Sequence, residues 1–213
     1  AADIANPAPK SAMFPRLRCF DLYAGHSWDS GHAIFADGNN QESSSEAMNA
    51  WAALILWGQA TGDNAIRDLG IFLYTTELEA INAYWFDVLG KIRPAAYKPS
   101  VVTMVWGGKG VNETWFTNKP ELVHGINWLP FTPASLYMGR HPGYVKKNHD
   151  RIVEVRKGGK DYNNGWGDLV CMFNALQDPD TAAAYIDANP ACKLEGGNTH
   201  AFMYHWIHTL KNL

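Results

Sequence analysis

The sequence predicts an all-α fold, built from helical hairpins stacked in a toroid-like arrangement and carrying long aromatic loops. Three observations lead there. Apolar residues recur at helical spacing in several segments, the segments come in pairs joined by short turns, and the connections on one side are long and rich in aromatic residues. With 213 residues the chain is one large domain in length. A chain of that size buries on the order of 70% of its unfolded surface, enough for a continuous core.

Taken in order, residues 1–41 are rich in Pro, Gly, Asn and Asp and read as loop with short ordered pieces. Ser43-Ser44-Ser45-Glu46 offers a capping box, and the apolar run Ala47 to Trp57 before Gly58 reads as the first helix. After the turn Thr61-Gly62-Asp63, a second helix is expected from about Asn64 to Leu89. Leu69, Phe72, Leu73, Ile81, Tyr84 and Trp85 lie at helical spacing, and Gly90 closes it. Residues 91–132 contain Pro94, Pro99, Pro120 and Pro130, with Val101–Trp106 as a short strand or extended loop. Helices then resume at Pro133–Met138, Pro142–Arg156, Trp166–Leu176, Asp180–Ala188 and His200–Leu210. No residue-level repeat supports the pairing, which rests on helix count.

Composition narrows the ligand. The 18 Lys and Arg against 21 Asp and Glu leave a net charge of −3, so a nucleic-acid or anionic-membrane partner has no electrostatic support. No apolar run approaches the roughly 18 residues of a spanning helix, and the start AADIANPAPK lacks signal-peptide features. Nine Trp, nine Tyr and nine Phe stand out, and they favour an uncharged ligand. Cys19, Cys171 and Cys192 are odd in number and widely spaced, so a disulfide framework is not expected. Asn112-Glu113-Thr114 is a lone glycosylation sequon, a weak signal by itself.

Between Asp21 and Glu46 lie five carboxylates, two histidines and Trp28. Glu42 and Glu46 are four apart at a helix start, so both can project from one face, where the helix dipole favours their ionised forms. An ionised carboxylate suits a general base. The plain alternative is that Glu46 completes the cap and Glu42 is a first-turn acid. Tyr23, His26 and Trp28 beside several acids point instead to a sugar site, where rings stack on pyranose faces and two carboxyl groups cleave the glycosidic bond. Gly25-His26-Ser27-Trp28-Asp29 lacks the last glycine of a nucleophile elbow, and Gly107-Gly108-Lys109-Gly110 lacks P-loop spacing. His200, His205 and His208 have no companion carboxylates and read as packed or capping residues rather than metal ligands. Trp51, Trp57, Trp85 and Trp206 fall in apolar helices and are expected in the core. Trp106, Trp115, Trp128 and Trp166 fall in loops, where they are open to ligand stacking.

The blocks Asp21-Leu22-Tyr23-Ala24-Gly25-His26-Ser27-Trp28 and Ala36-Asp37-Gly38-Asn39-Asn40-Gln41-Glu42-Ser43-Ser44-Ser45-Glu46-Ala47 resemble the signature of glycoside hydrolase family 81, the endo-β-1,3-glucanases. Met104-Val105-Trp106-Gly107, the block Gly125 to Tyr137 and Tyr204-His205-Trp206-Ile207-His208 continue the resemblance in order along nearly the whole chain. It implies an (α/α)6 toroid and inverting hydrolysis of internal β-1,3-glucosidic bonds, with no metal or organic cofactor. By motif match Glu42 is the general base, Glu46 its neighbour that positions water or sugar, and His26, Trp28, Asp37 and Gln41 line the cleft, beside Tyr23 and Trp106 from the aromatic reading.

Two departures accompany it. Asp29 stands where the family has a small residue. The family's general acid belongs to an Asp-His-His-rich segment well before the Gly-His-Ser-Trp loop, and these residues contain no such segment. The expectation is therefore the C-terminal part of a family 81 catalytic domain, without its upstream β-sandwich and early toroid helices. Three readings follow: an acid supplied from outside the chain, Asp21 or Asp29 recruited as acid, or a non-catalytic module that binds or perceives β-1,3-glucan. The same resemblance implies a secreted protein, one that needs its N-terminal segment or self-associates to cover apolar faces.

Overall fold

Two long helices packed side by side dominate the computed structural model, which describes residues 1–8, 11–29 and 34–213. Ser30, Gly31 and His32 of the polar stretch lie outside the described residues. α1 runs Ser44–Thr61 and α2 Asn64–Ala80. Between them Gly62 takes the left-handed conformation (φ 74°) that ends α1, and the Asp63 side chain accepts from the Ile66 N–H to begin α2. The helices approach closely because Gly58 of α1 faces Arg67, and Gly70 of α2 faces Leu54 and Ile55. For that reason Gly58 does not end the first helix, as its sequence context implies: it sits inside α1 as a contact surface.

The second expected helix changes character before Leu89. α2 gives way to a π-helical turn over Ile81–Phe86, and Asp87 at φ 46° leaves the helix altogether. The turn drops Trp85 and Phe86 into the core, where Phe86 stacks on Tyr144 with centroids 4.6 Å apart. Downstream are α3 (Pro120–Gly125), a 3-10 helix (Pro133–Arg140), α4 (Pro142–Val155), α5 (Gly167–Asn174), α6 (Pro179–Ala188) and α7 (His200–Lys211). α6 packs on α7, and α4 on α5. α3 is absent from the sequence reading because Pro120 looked like a breaker; it occupies the first helical position, where proline is tolerated.

Strand content is small and local. β1 (Phe20–Asp21) pairs antiparallel with β2 (His26–Ser27). β3 (Asn40–Gln41), β4 (Met104–Trp106) and β5 (Gly110–Val111) form a second antiparallel sheet, with Asn40 opposite Trp106 and Gln41 opposite Val105. The helical class and the hairpins agree with the sequence, as does the extended segment ending at Trp106. Among the described residues no helix is long and apolar enough to cross a membrane.

The tryptophans divide differently from the expectation. Trp51, Trp85 and Trp206 are buried, but Trp57 in the last turns of α1 is 58% exposed. Of the loop residues, Trp128 is fully buried and stacks on Phe173 at 4.1 Å and 8°, Trp106 is buried, Trp166 is half-buried, and Trp115 is 57% exposed. All three cysteines are free. Asn112 of the sequon uses its side-chain N–H groups on the Val101 carbonyl and Thr103 Oγ1, so it acts as a loop brace. His200 meets the Cys192 carbonyl and His208 meets Asp187, both contacts that tie α7 to its neighbours.

A methyl group at Gly58 would stand 2.5 Å from Arg67 N and 2.8 Å from its Cα, backbone atoms that cannot move aside independently. Gly58→Ala should therefore destabilise the protein by about 1–3 kcal/mol despite alanine's better helix propensity, read as a lower urea midpoint.

Candidate active site

The polar stretch identified in the sequence folds as a turn, a strand and a helix start. Asp21 builds the turn: Oδ1 accepts from the N–H groups of Tyr23 (2.8 Å) and Ala24 (3.1 Å), and Oδ2 accepts from Trp28 Nε1 (3.1 Å). Gly25, at φ 77°, lets the chain double back so that His26 pairs with Asp21. These bonds, led by the one from Trp28, hold the Asp21 carboxyl below its ordinary value. A carboxylate committed in this way is a poor proton donor, which argues against Asp21 as a recruited acid.

His26 is buried against three rings: Trp28 (4.4 Å between centroids), Trp85 (5.0 Å) and Tyr84 (6.0 Å). Burial lowers its pKa, so the ring is neutral, and Nδ1 donates to the Ser27 carbonyl at 2.8 Å. Tyr23 stands fully exposed at the turn tip. Tyr23, His26, Trp28 and Trp106 line one cavity of about 590 Å³, together with Tyr84 and Tyr97. Four of the residues proposed to bind substrate thus meet in a single aromatic hollow.

Asp37, Gln41, Glu42 and Glu46 do not line it. Asp37 is exposed and pairs with Lys109 at 2.8 Å, and Lys109 in turn sits 5.4 Å over the Trp106 ring at the cavity wall. Gln41 is buried, and its amide is spent on Ser27.

Glu42 follows β3 directly and precedes α1. That junction is pinned by Asn127, whose Oδ1 accepts from both the Ser44 N–H (3.1 Å) and Ser44 Oγ (2.7 Å), while its Nδ2 donates to the Thr103 carbonyl (2.8 Å). Ser45 Oγ donates to the Leu129 carbonyl. The expected capping box is absent: the Ser43 side chain makes no cap bond and Glu46 is exposed. Asn127 captures the end of α1 from another part of the chain instead. A real capping box closes the 3-10 helix at Thr132 and Ser135.

The Glu42 carboxyl is buried, and its Oε1 has no hydrogen-bond partner among the described residues. Burial pushes its pKa up to about 7, helped by the neighbouring Asp29 and by Glu46, against the pull of the Trp115 N–H groups. The dipole of α1 favours the charged form, as the sequence implies, but desolvation and the extra acid at position 29 outweigh it. Trp115 also joins a corner of rings, 5.7 Å from Trp106 and 5.3 Å from Phe35. The sequence placed it among the loop tryptophans open to ligand stacking, but gave no sign that it would neighbour Glu42.

A carboxyl raised in the fold from 4.5 to about 7 binds its proton more tightly in the native than in the unfolded state. Stability is therefore lost as pH rises between those values and stays lower above them. Glu42→Gln removes the titration. It should stabilise the protein on the order of 2–3 kcal/mol at pH 8 and by little at pH 4, read from denaturant melts at both pH values.

The family model described as the glycosyl hydrolase family 81 C-terminal domain matches residues 1–206. A glucan endo-1,3-beta-D-glucosidase of Acetivibrio thermocellus is 51% identical over 99% of the chain, which covers 27% of that protein. One from Thermobifida fusca is 43% identical over 98% of the chain and again 27% of the relative. The solved structure of a mutant glycoside hydrolase family 81 protein from Clostridium thermocellum matches the whole chain with a TM-score of 0.93 and 49% identity, over 29% of its own length. The chain thus spans roughly a quarter of the proteins it matches. It belongs to glycoside hydrolase family 81, within that family's C-terminal domain.

Proposed function

We propose that this chain is the C-terminal part of an enzyme that hydrolyses internal β-1,3-glucosidic bonds, with inversion, and that Glu42 is its general base. One observation carries the reading: a buried carboxyl with an open oxygen, poised near neutral pH, stands at a helix start beside an aromatic corner. The names of the related glucan endo-glucosidases support the substrate class.

At and above neutral pH the ionised Glu42 takes a proton from water as that water attacks the anomeric carbon. Glu46, one helical turn on and exposed, holds the water or a sugar hydroxyl. Inversion follows because base and acid act on opposite faces of the sugar, with carboxyl groups roughly 6.5–9.5 Å apart to leave room for the water. The acid comes from a segment outside these residues, a reading supported by the commitment of Asp21 to its turn, with Asp29 as the alternative. Tyr23, His26, Trp28 and Trp106 hold sugar rings in the aromatic hollow; Asp37 orients Lys109 at its wall, and Gln41 supports the base from below. An uncharged polysaccharide suits a protein of net charge −3 with 13% aromatic residues. A polymer substrate of this kind supports a location outside the cell, the reading that the family resemblance implies.

Laminarin digestion followed by reducing-end release tests this. The chain alone should release little, and a longer form with the upstream segment should digest it. In that form Glu42→Gln should lower kcat by about 10²–10⁴-fold while glucan binding persists. Near-normal turnover by Glu42→Gln would remove the base assignment. Robust hydrolysis by the bare chain that Asp29→Asn abolishes would move the acid to Asp29. Tight binding without products in every form would make the protein a glucan-binding module.

A further inference from the structure

A second carboxyl, one the mechanism above leaves unused, lies beneath the site. Glu77, on α2, is completely buried. Its Oε1 accepts from Ser27 Oγ at 2.9 Å and its Oε2 from Trp51 Nε1 at 2.6 Å. Ser27 Oγ also meets Gln41 Nε2 at 2.9 Å, and the same nitrogen lies 3.1 Å from the Ser27 carbonyl.

With Glu77 ionised, hydrogen-bond chemistry fixes every direction in this chain. A carbonyl only accepts, so the Gln41 amide presents its nitrogen to Ser27. Ser27 Oγ accepts from that nitrogen and gives its single proton to Glu77. An indole N–H only donates, so the other Glu77 oxygen must accept. The result is a one-way relay, Gln41 to Ser27 to Glu77, met from the other side by Trp51. It ties β3, β2, α2 and α1 together.

Packing alone does not call for this arrangement. The α1–α2 contact is already filled by Leu54, Leu69 and Leu73 with the two glycines. A buried carboxylate is a costly substitute for an apolar side chain there. What it adds is a fixed acceptor for donors from two other elements. Ser27 separates His26 from Trp28, and Gln41 is bonded directly to Glu42.

We propose that Glu77 is a positioning residue for Glu42, holding β3 against β2 through Ser27 and Gln41 so that the Glu42 carboxyl stands in its working place. The proposal rests on Glu42 being the base. Asn127 clamps the chain at Ser44, just beyond Glu42, and the Glu77 relay clamps it at Gln41, just before.

The test uses Ser27→Ala and Glu77→Gln in the form that digests laminarin. Ser27→Ala keeps the Glu77 carboxyl, its Trp51 bond and the Gln41 contact with the carbonyl of residue 27, and removes the Oγ that joins Gln41 to Glu77. Each variant should lower kcat about tenfold to a hundredfold with KM nearly unchanged and the helical signal retained. The double variant should lose no more than the more impaired single one, because both cut the same relay. Normal kcat in Ser27→Ala overturns the proposal and leaves Glu77 a core residue, and this variant decides the matter alone if Glu77→Gln does not fold. A second readout needs no turnover: the carbon-13 carboxyl resonance of Glu42 in this chain. Ser27→Ala should move its titration midpoint by about half a unit or more, and an unmoved midpoint also overturns the proposal. If Glu42→Gln keeps turnover, the base assignment falls, and the Glu42 resonance still decides whether the relay holds that side chain.

Discussion

A carboxylate sealed between two helices must be met by donors, and the groups that meet Glu77 are drawn from the segments that form the site. Trp51 comes from α1 and Ser27 from β2, and Gln41 of β3 reaches the carboxylate through that serine. Leaving any of these bonds unmade would strand a buried polar group, which costs more than the bond itself contributes. The polar underside is thus an all-or-none unit, and the loops that carry His26, Trp28 and Glu42 inherit its rigidity from below.

Two buried carboxyls in this protein are pushed to about 7, both chiefly by burial, yet they are built for different work. Glu77 has a donor on each oxygen and no access to solvent. Glu42 keeps an unpartnered oxygen and faces repulsion from Asp29. A satisfied carboxyl organises its surroundings, whereas an unsatisfied one retains free energy that an incoming water or hydroxyl can relieve. The aromatic hollow fits the same division. His26 is held neutral with a fixed tautomer among rings, so what the wall presents to a ligand is shape and hydrogen-bonding capacity with little charge.

Periodic features were the ones legible in the sequence. The α1–α2 hairpin, α4, α6 and α7 carry apolar stripes that local chemistry alone can read, and the family motifs marked the loop and helix start that form the site. Features that depend on partners distant in sequence were not legible. The Ser43 to Glu46 pattern looked like a self-contained cap, but Asn127, more than eighty residues away, satisfies the helix end. Trp128 sat in a polar, proline-containing loop and gave no sign that Phe173 would cover it, and Trp57 sat in an apolar run yet is left exposed. Glu77 looked like one more acid on an amphipathic helix, and nothing local distinguishes it from exposed Glu79. Trp115 had the right residue type in the right kind of loop, but its nearness to Glu42 arises only from the fold.

The reach of Glu77 to Trp51 depends on how near α2 lies to α1, and that spacing is set where Gly58 and Gly70 leave the two helix surfaces bare. Side chains are missing there so that others can meet further along the same pair of rods. A single added carbon at either glycine would act as a wedge between the rods, and the small separation it forces would be magnified along their length into lost contact at the carboxylate. The loop that carries Glu42 can thus be disturbed from a point that lies in neither the candidate site nor its polar underside, and in this domain distance from the hollow is a poor measure of a substitution's harm.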